Sequence, residues 1–200
     1  MSLFDKWFGE KKTPGGSNLI RHSRMERQFG FTEKAADFQP TREAAYTQLF
    51  GEALTVSHEL LPQIPHIDVY TFRRELEGKT VYSLVTGGMS DLEMTLPRGV
   101  KEVPRRVELI FYCAEPREEY IATLRWLAHF PHDAKSWLCH THTVANGNPP
   151  KPFSGRGDMD ALLFLPPIVT QDQSLPEKLQ LGESPLAFSG WFRLRLRSAI

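Results

Sequence analysis

Residues 138–167 read LCHTHTVANGNPPKPFSGRGDMDALLFLPP, and the rest of the chain can be placed around them. His140 and His142 stand two apart in a run, residues 137–144, that reads as a strand, so both side chains point from one face. Asn146-Gly147 follows, and both residues tolerate the positive φ of a tight turn. Pro149-Pro150 stiffens the exit, and ALLFL at 161–165 has the length and apolarity of a buried strand. The segment predicts two strands joined by a rigid polar excursion, and such excursions suit recognition.

Working outward, VELIFY at 107–112 is apolar enough to lie in the middle of a sheet. Pro116, Glu118 and Glu119 then open a helix, because proline suits the first helical position and carboxylates favour the positive end of the helix dipole. Its buried stripe is Tyr120, Leu124, Leu127 and Ala128, and Pro131 ends it. Residues 67–72 and 80–85 are β-rich runs on either side of a charged segment with Gly78, which predicts an antiparallel hairpin. Tyr46, Leu49, Phe50, Ala53, Val56 and Leu60 recur at helical spacing, so a helix is expected over 41–61, with Thr41 as N-cap and Pro62 as stop. A last strand is expected at 188–196, where Arg193, Arg195 and Arg197 alternate with Phe192, Leu194 and Leu196. Such a basic row commonly protects an open sheet edge.

Leu3, Phe4, Trp7 and Phe8, followed by Lys11, Lys12, Pro14, Gly15 and Gly16, read as a flexible arm over 1–40. Residues 41–200 form one domain. Runs of strands interrupted by two strong helices make the fold class α+β, a mixed and mostly antiparallel sheet packed with two main helices.

With 200 residues, 40% hydrophobic and 11% aromatic, the chain can fill a single core. Its 24 basic and 24 acidic side chains cancel, leaving no net field to hold nucleic acid or an anionic membrane. There is no signal-peptide pattern and no apolar run of the ~20 residues a membrane span needs, so a cytoplasmic protein is expected. Cys113 and Cys139 are too few for a disulfide framework and read as reduced, buried thiols.

His140 and His142 could hold a metal, which makes a small metal-dependent hydrolase the alternative reading. A third ligand is the difficulty. Cys139 faces the other way, His129 and His132 belong to the preceding helix end, and there is no CxxC or HExxH. Ser90 in GGMSD fails the GxSxG pattern because Leu92 replaces its second glycine, and Cys139 and His140 alternate across a strand. Asp158 and Asp160 read as a solvated strand entrance, and Arg156-Gly157-Asp158 as a chance tripeptide. No catalytic residue, cofactor or bound metal is expected.

Five blocks, in this order, resemble the suppressor of fused domain family: PHIDVYTF (65–72), GGMSDLEM (87–94), VELIFYCAEPREEYIATLRWLAHFP (107–131), HTHTVANGNPPKPF (140–153) and ALLFLPP (161–167). The resemblance implies a mixed α/β domain of the stand-alone bacterial type without established catalysis. In the eukaryotic relative a partner peptide is clamped as an added β-strand between this domain and a second one. Bacterial relatives include proteins regarded as immunity proteins against polymorphic toxins. It also implies that this chain is shortened at its C-terminus. The expected function is therefore a non-enzymatic protein-binding module, with a toxin domain as candidate partner. Its binding face is expected at 88–91, 140–148 and 161–165. Ser90, Asp91, His140, His142, Asn146 and Asn148 would supply polar recognition, and the strand of Leu163 and Phe164 would supply backbone hydrogen bonds.

Overall fold

The structure is a computed structural model and describes residues 11–12, 18–22, 26–30, 35–61, 63–101, 103–147, 149–153, 160–174, 179 and 186–194. In chain order its main elements are β1 (Lys11–Lys12), β2 (Asn18–Leu19), α1 (Ala35–Phe50), β3 (Thr55–Ser57), β4 (Asp68–Leu76), β5 (Lys79–Gly87), β6 (Arg106–Cys113), α2 (Glu118–Asp133), β7 (Thr143–Ala145), β8 (Ala161–Leu165) and β9 (Leu186–Leu194). β1 and β2 form a small pair of their own. The other seven strands form one sheet in the order β3-β4-β5-β6-β9-β8-β7. Neighbours are antiparallel except β6 and β9, which are parallel. This is the expected α+β class, a mostly antiparallel mixed sheet with two main helices.

Alternation along the strands divides the interior into two cores. Val69, Leu84, Val107, Leu109, Leu162 and Phe164 face α2, which lays Ile121, Leu124, Leu127 and Ala128 against them. Tyr70, Phe72, Val85 and Ile110 face α1, where Ala45, Tyr46 and Phe50 cover them and Leu179 closes the cluster. Tyr46 meets Tyr70 and Phe72 edge-on at 5.5 and 6.2 Å, an arrangement that aromatic quadrupoles favour. β6 is buried on both faces, which is why its sequence is an almost unbroken apolar run.

The predicted hairpin forms as β4 and β5. It extends to a two-residue turn, Glu77-Gly78, with both φ values positive at 51° and 74°, the backbone that matches strand twist in a short loop.

Three boundaries differ from expectation. The helix expected over 41–61 spans Ala35–Phe50, so Pro40 and Thr41 lie inside it and Thr41 is not its cap. Gly51 ends it, with φ 85° and its N–H donating to the Thr47 carbonyl at 2.9 Å. Beyond Gly51 the apolar spacing continues, but β4 offers hydrogen-bond partners: Val56 enters β3, and Leu60 is 96% exposed. Pro62 lies outside the described residues. Secondly, Pro131 sits within the last turn of α2, which closes at Ala134 through its N–H to Phe130. Thirdly, β9 is interior, between β6 and β8, so its arginine row guards no open edge; Arg195 and Arg197 lie outside the described residues.

The segment assigned to the arm holds ordered contacts as well. α1 begins within it, at Ala35, and Phe29 bridges to Gln63. Among the described residues no helix is long and apolar enough to cross a membrane.

Candidate functional site

β5 ends at Gly87, and the chain then turns through Gly88 into a 3-10 turn, Met89–Asp91. Gly88 has φ 113°, and a Cβ there would lie 1.9 Å from the His66 carbonyl oxygen. A Cβ on Gly87 would lie 2.7 Å from the Tyr70 ring. The glycine pair therefore answers a demand for close approach.

That turn wraps the carboxylate of Glu108, which rises from the middle of β6. Oε1 accepts from the Gly88 and Ser90 N–H groups, each at 3.0 Å, and from Ser90 Oγ at 2.6 Å, while Oε2 accepts from Thr86 Oγ1 at 2.6 Å. Arg42 of α1 reaches in from above, with Nη1 2.6 Å from Asp91 Oδ1 and 4.0 Å from Glu108 Oε1. Arg106 Nη1 donates to the Ser90 carbonyl at 2.6 Å, and Tyr46 donates to the Thr86 carbonyl at 2.6 Å. Burial pushes the Glu108 and Asp91 carboxyls up, and Arg42 offsets only part of that. Burial also works to lower the Arg42 pKa, but the two carboxylates outweigh it and hold the guanidinium above its ordinary value.

This network is an internal brace between α1 and the sheet. Ser90 and Asp91, expected on the binding face, are 0% and 2% exposed and spend their side chains on Glu108 and Arg42. They present nothing to a partner. Glu108 is not among the residues expected from sequence; a lone acid in the apolar run VELIFY is the signal that could have found the brace, since a buried carboxylate demands partners.

The second expected group surrounds β7. Thr141 has φ 70°, its N–H donates to the Phe164 carbonyl at 2.7 Å, and the His142 N–H donates to Cys139 at 3.2 Å. Residues 137–142 are thus not a strand: the chain turns at 140–141, and the strand is limited to Thr143–Ala145. His140 and His142 therefore do not share a strand face, which removes the geometry that suggested a metal pair. The His142 ring packs edge-on against Trp137 at 4.4 Å; burial lowers its pKa, partly opposed by a hydrogen bond to the Trp137 backbone. His129 Nε2 lies 2.7 Å from Glu59, and His132 Nε2 donates to the Met89 carbonyl at 3.1 Å. Among the described residues no group of three or more His, Cys, Asp and Glu is placed to hold a metal ion.

Asn146 closes the excursion. Its carbonyl accepts from Lys151 N–H at 2.8 Å, and its Nδ2 donates to the Pro152 carbonyl at 3.1 Å. Gly147, at φ 90°, supplies the expected turn. Asn148 lies outside the described residues.

Phe164 is fully buried in the core under α2, and Leu163 is half-buried. β8 is paired on both sides, by β7 and by β9, so the strand expected to bond a partner has its backbone taken. The outer side belongs to β7. Phe164 N–H donates to His142 and Asn146 N–H donates to Asp160, so alternation aims the Thr143 N–H and C=O and the Ala145 N–H away from β8. No described strand lies beyond them. The opposite edge is defended: Arg125 Nη2 donates to the β3 carbonyl of Ser57 at 2.8 Å and to His58 at 3.3 Å.

Beside β7, on the α2 face, half-buried aromatic groups extend the core outward. The Trp126 ring centroid lies 6.1 Å from those of Phe130 and Phe153, and these three, like Trp137 and Val144, pack against the buried core. The site thus combines outward backbone groups with an apolar flank.

The sequence profile of the suppressor of fused protein (SUFU) family matches residues 63–188 of this chain. No curated protein matches it by sequence. Among solved structures, the crystal structure of a SUFU homologue from Neisseria gonorrhoeae FA 1090 is similar in fold, with a TM-score of 0.54 at 15% identity over 80% of this chain and 79% of the other.

Proposed function

The chain belongs to the suppressor of fused family, and from that premise we propose that it is a non-enzymatic protein-binding module that takes up an extended segment of its partner as an added strand beside β7. The observation that supports this reading most is the outward row of Thr143 and Ala145 backbone groups on a strand held in place by β8. Backbone bonds would supply affinity, and the Val144 and Trp126 flank would supply choice among side chains. His140, His142, Asn146 and Leu163 form the rim of this edge. The partner class is a toxin domain that the chain neutralises in the cytoplasm. The burial of Ser90 and Asp91 moves the reading away from the GGMSD turn and onto β7.

Co-expression with a toxin domain encoded beside this gene tests it. The chain should rescue growth and co-purify with the toxin, and Ala145→Pro, which deletes an outward N–H, should weaken the complex about ten-fold or more. A complex indifferent to Ala145→Pro would place binding elsewhere, and failure to form one would remove the toxin reading.

A further inference from the structure

Imidazoles and carboxylates alternate in a row between α2 and the start of β4. His129 Nε2 lies 2.7 Å from Glu59 Oε1, and Glu59 Oε2 lies 3.8 Å from His66 Nδ1. His66 Nε2 lies 3.3 Å from Asp68 Oδ1, and the same oxygen lies 3.2 Å from His58 Nδ1. The Glu59 and Asp68 side chains are 5% and 11% exposed, so water screens these contacts weakly. Burial works to raise the Glu59 pKa, but the His129 hydrogen bond and charge, the Ile67 N–H and the His66 charge outweigh it and hold the carboxyl below its ordinary value.

His66 stands in the middle of this row, and each of its ring nitrogens faces a different carboxylate. A neutral imidazole carries one ring proton, so either tautomer aims a bare lone pair at one of the two acids, whereas the imidazolium directs an N–H at each. Among the described residues, the buried His66 Nδ1 and Asp68 Oδ1 have no hydrogen-bond partner, although each faces a group of the opposite kind within ion-pair distance. Buried polar atoms left in that condition are costly, and a second proton on His66 offers Glu59 and Asp68 one charged donor each.

Other charged groups border the row. Arg125 of α2 donates to the Ser57, His58 and Ile67 carbonyls, which fixes the backbone next to Glu59 and His66. His132 and Asp133 act on His129 from the same helix, and Arg27 acts on Asp133. Asp91, held by Arg42 of α1, and the Tyr70 hydroxyl act on Asp68.

We propose that His66 is a proton-operated bridge. Doubly protonated, it joins Glu59 to Asp68 and so ties α2, through His129, to the start of β4; on losing one proton it releases one of the acids. The tie is present while the second proton is bound and is lost as pH rises through the imidazole range, the reverse of a histidine buried in its neutral form.

A nuclear magnetic resonance titration of the imidazole nitrogens in the full chain tests it, with the His66 signals identified by their loss in His66→Gln. Glu59→Gln and Asp68→Asn should each weaken proton binding at His66 about three-fold or more, because each removes one of the two charges that hold the second proton. His58→Gln, which takes the competing imidazole off the shared Asp68 oxygen, should leave proton binding as tight or tighter. A His66 midpoint unmoved by either acid variant overturns the bridge. So does a midpoint moved by only one of them, since His66 then serves a single acid. If the acid variants do not fold, the side-chain carboxyl carbon signals of the unaltered chain decide: those of Glu59 and Asp68 should both shift at the His66 midpoint, and either one staying still there overturns the proposal.

Discussion

Arg42 on α1 and Asp91 in the turn after β5 meet at 2.6 Å, with their side chains 5% and 2% exposed. The same guanidinium lies 4.0 Å from the buried Glu108 carboxylate. One residue therefore compensates two carboxylates that burial penalises.

Arg42→Leu should destabilise the fold by about 3–5 kcal/mol, because it takes from both buried acids the guanidinium they share. Urea unfolding measures it. The double variant Arg42→Leu, Asp91→Leu should recover part of the loss, since one of the two orphaned charges is gone. An Arg42→Leu protein of unaltered midpoint would show that the brace carries no stability.

Gly88→Ala should cost more than about 3 kcal/mol, combining a left-handed backbone with a clash against the His66 carbonyl. Gly78→Ala provides the contrast. Its φ is 74° but nothing lies within 4 Å, so only the backbone cost of about 1–2 kcal/mol applies. Equal effects of the two substitutions would mean that the close approach does not matter.

Stability should fall as pH drops through the histidine range, and His132 is a named cause. Burial pushes its imidazole down from 6.5 to about 4, so the unfolded chain takes up the proton first. The contribution is complete above about pH 6.5 and is lost progressively toward pH 4, a change on the order of 3 kcal/mol. His132→Gln keeps a donor for Met89 and removes the titration, so its unfolding free energy should vary less over that window. Parallel curves for the two proteins would assign the pH dependence to other groups.

Asp172, in the 3-10 turn Thr170–Ser174, accepts from Arg74 at 2.6 Å and from Tyr112 at 2.7 Å, and is fully buried. Asp172→Ala should cost about 3–5 kcal/mol because it leaves the buried Arg74 guanidinium over the Phe50 ring without its carboxylate. Tyr112→Phe should cost about 1 kcal/mol, the loss of one hydrogen bond with its partner still paired. The order of the two unfolding midpoints checks this.

Much of the architecture was legible because periodicity reports local burial. The hairpin around Gly78 came from its β-rich runs, the central strand and the strand Ala161–Leu165 from continuous apolar runs, the stripe of α2 from helical spacing, and the Asn146-Gly147 turn from its φ preference. The end of α1 was not legible in the same way. Apolar spacing ran on to Leu60, and what stopped the helix was the left-handed Gly51 together with hydrogen bonds that only β4, a dozen residues further along, could offer.

Sequence by itself established the fold class, the family resemblance and a polar turn at Asn146-Gly147 between two strands, the first of them shorter than its spacing suggested. Only the tertiary structure decided which residues face outward. Ser90 and Asp91 look like a polar loop until Glu108 and Arg42, 18 and 49 positions away, claim them, and Ala161–Leu165 looks like a free strand until β9 arrives to pair with it. The physical reason is that a polar side chain or backbone group is available only if nothing in the folded chain has already satisfied it, and such partners come from distant segments that no local spacing records.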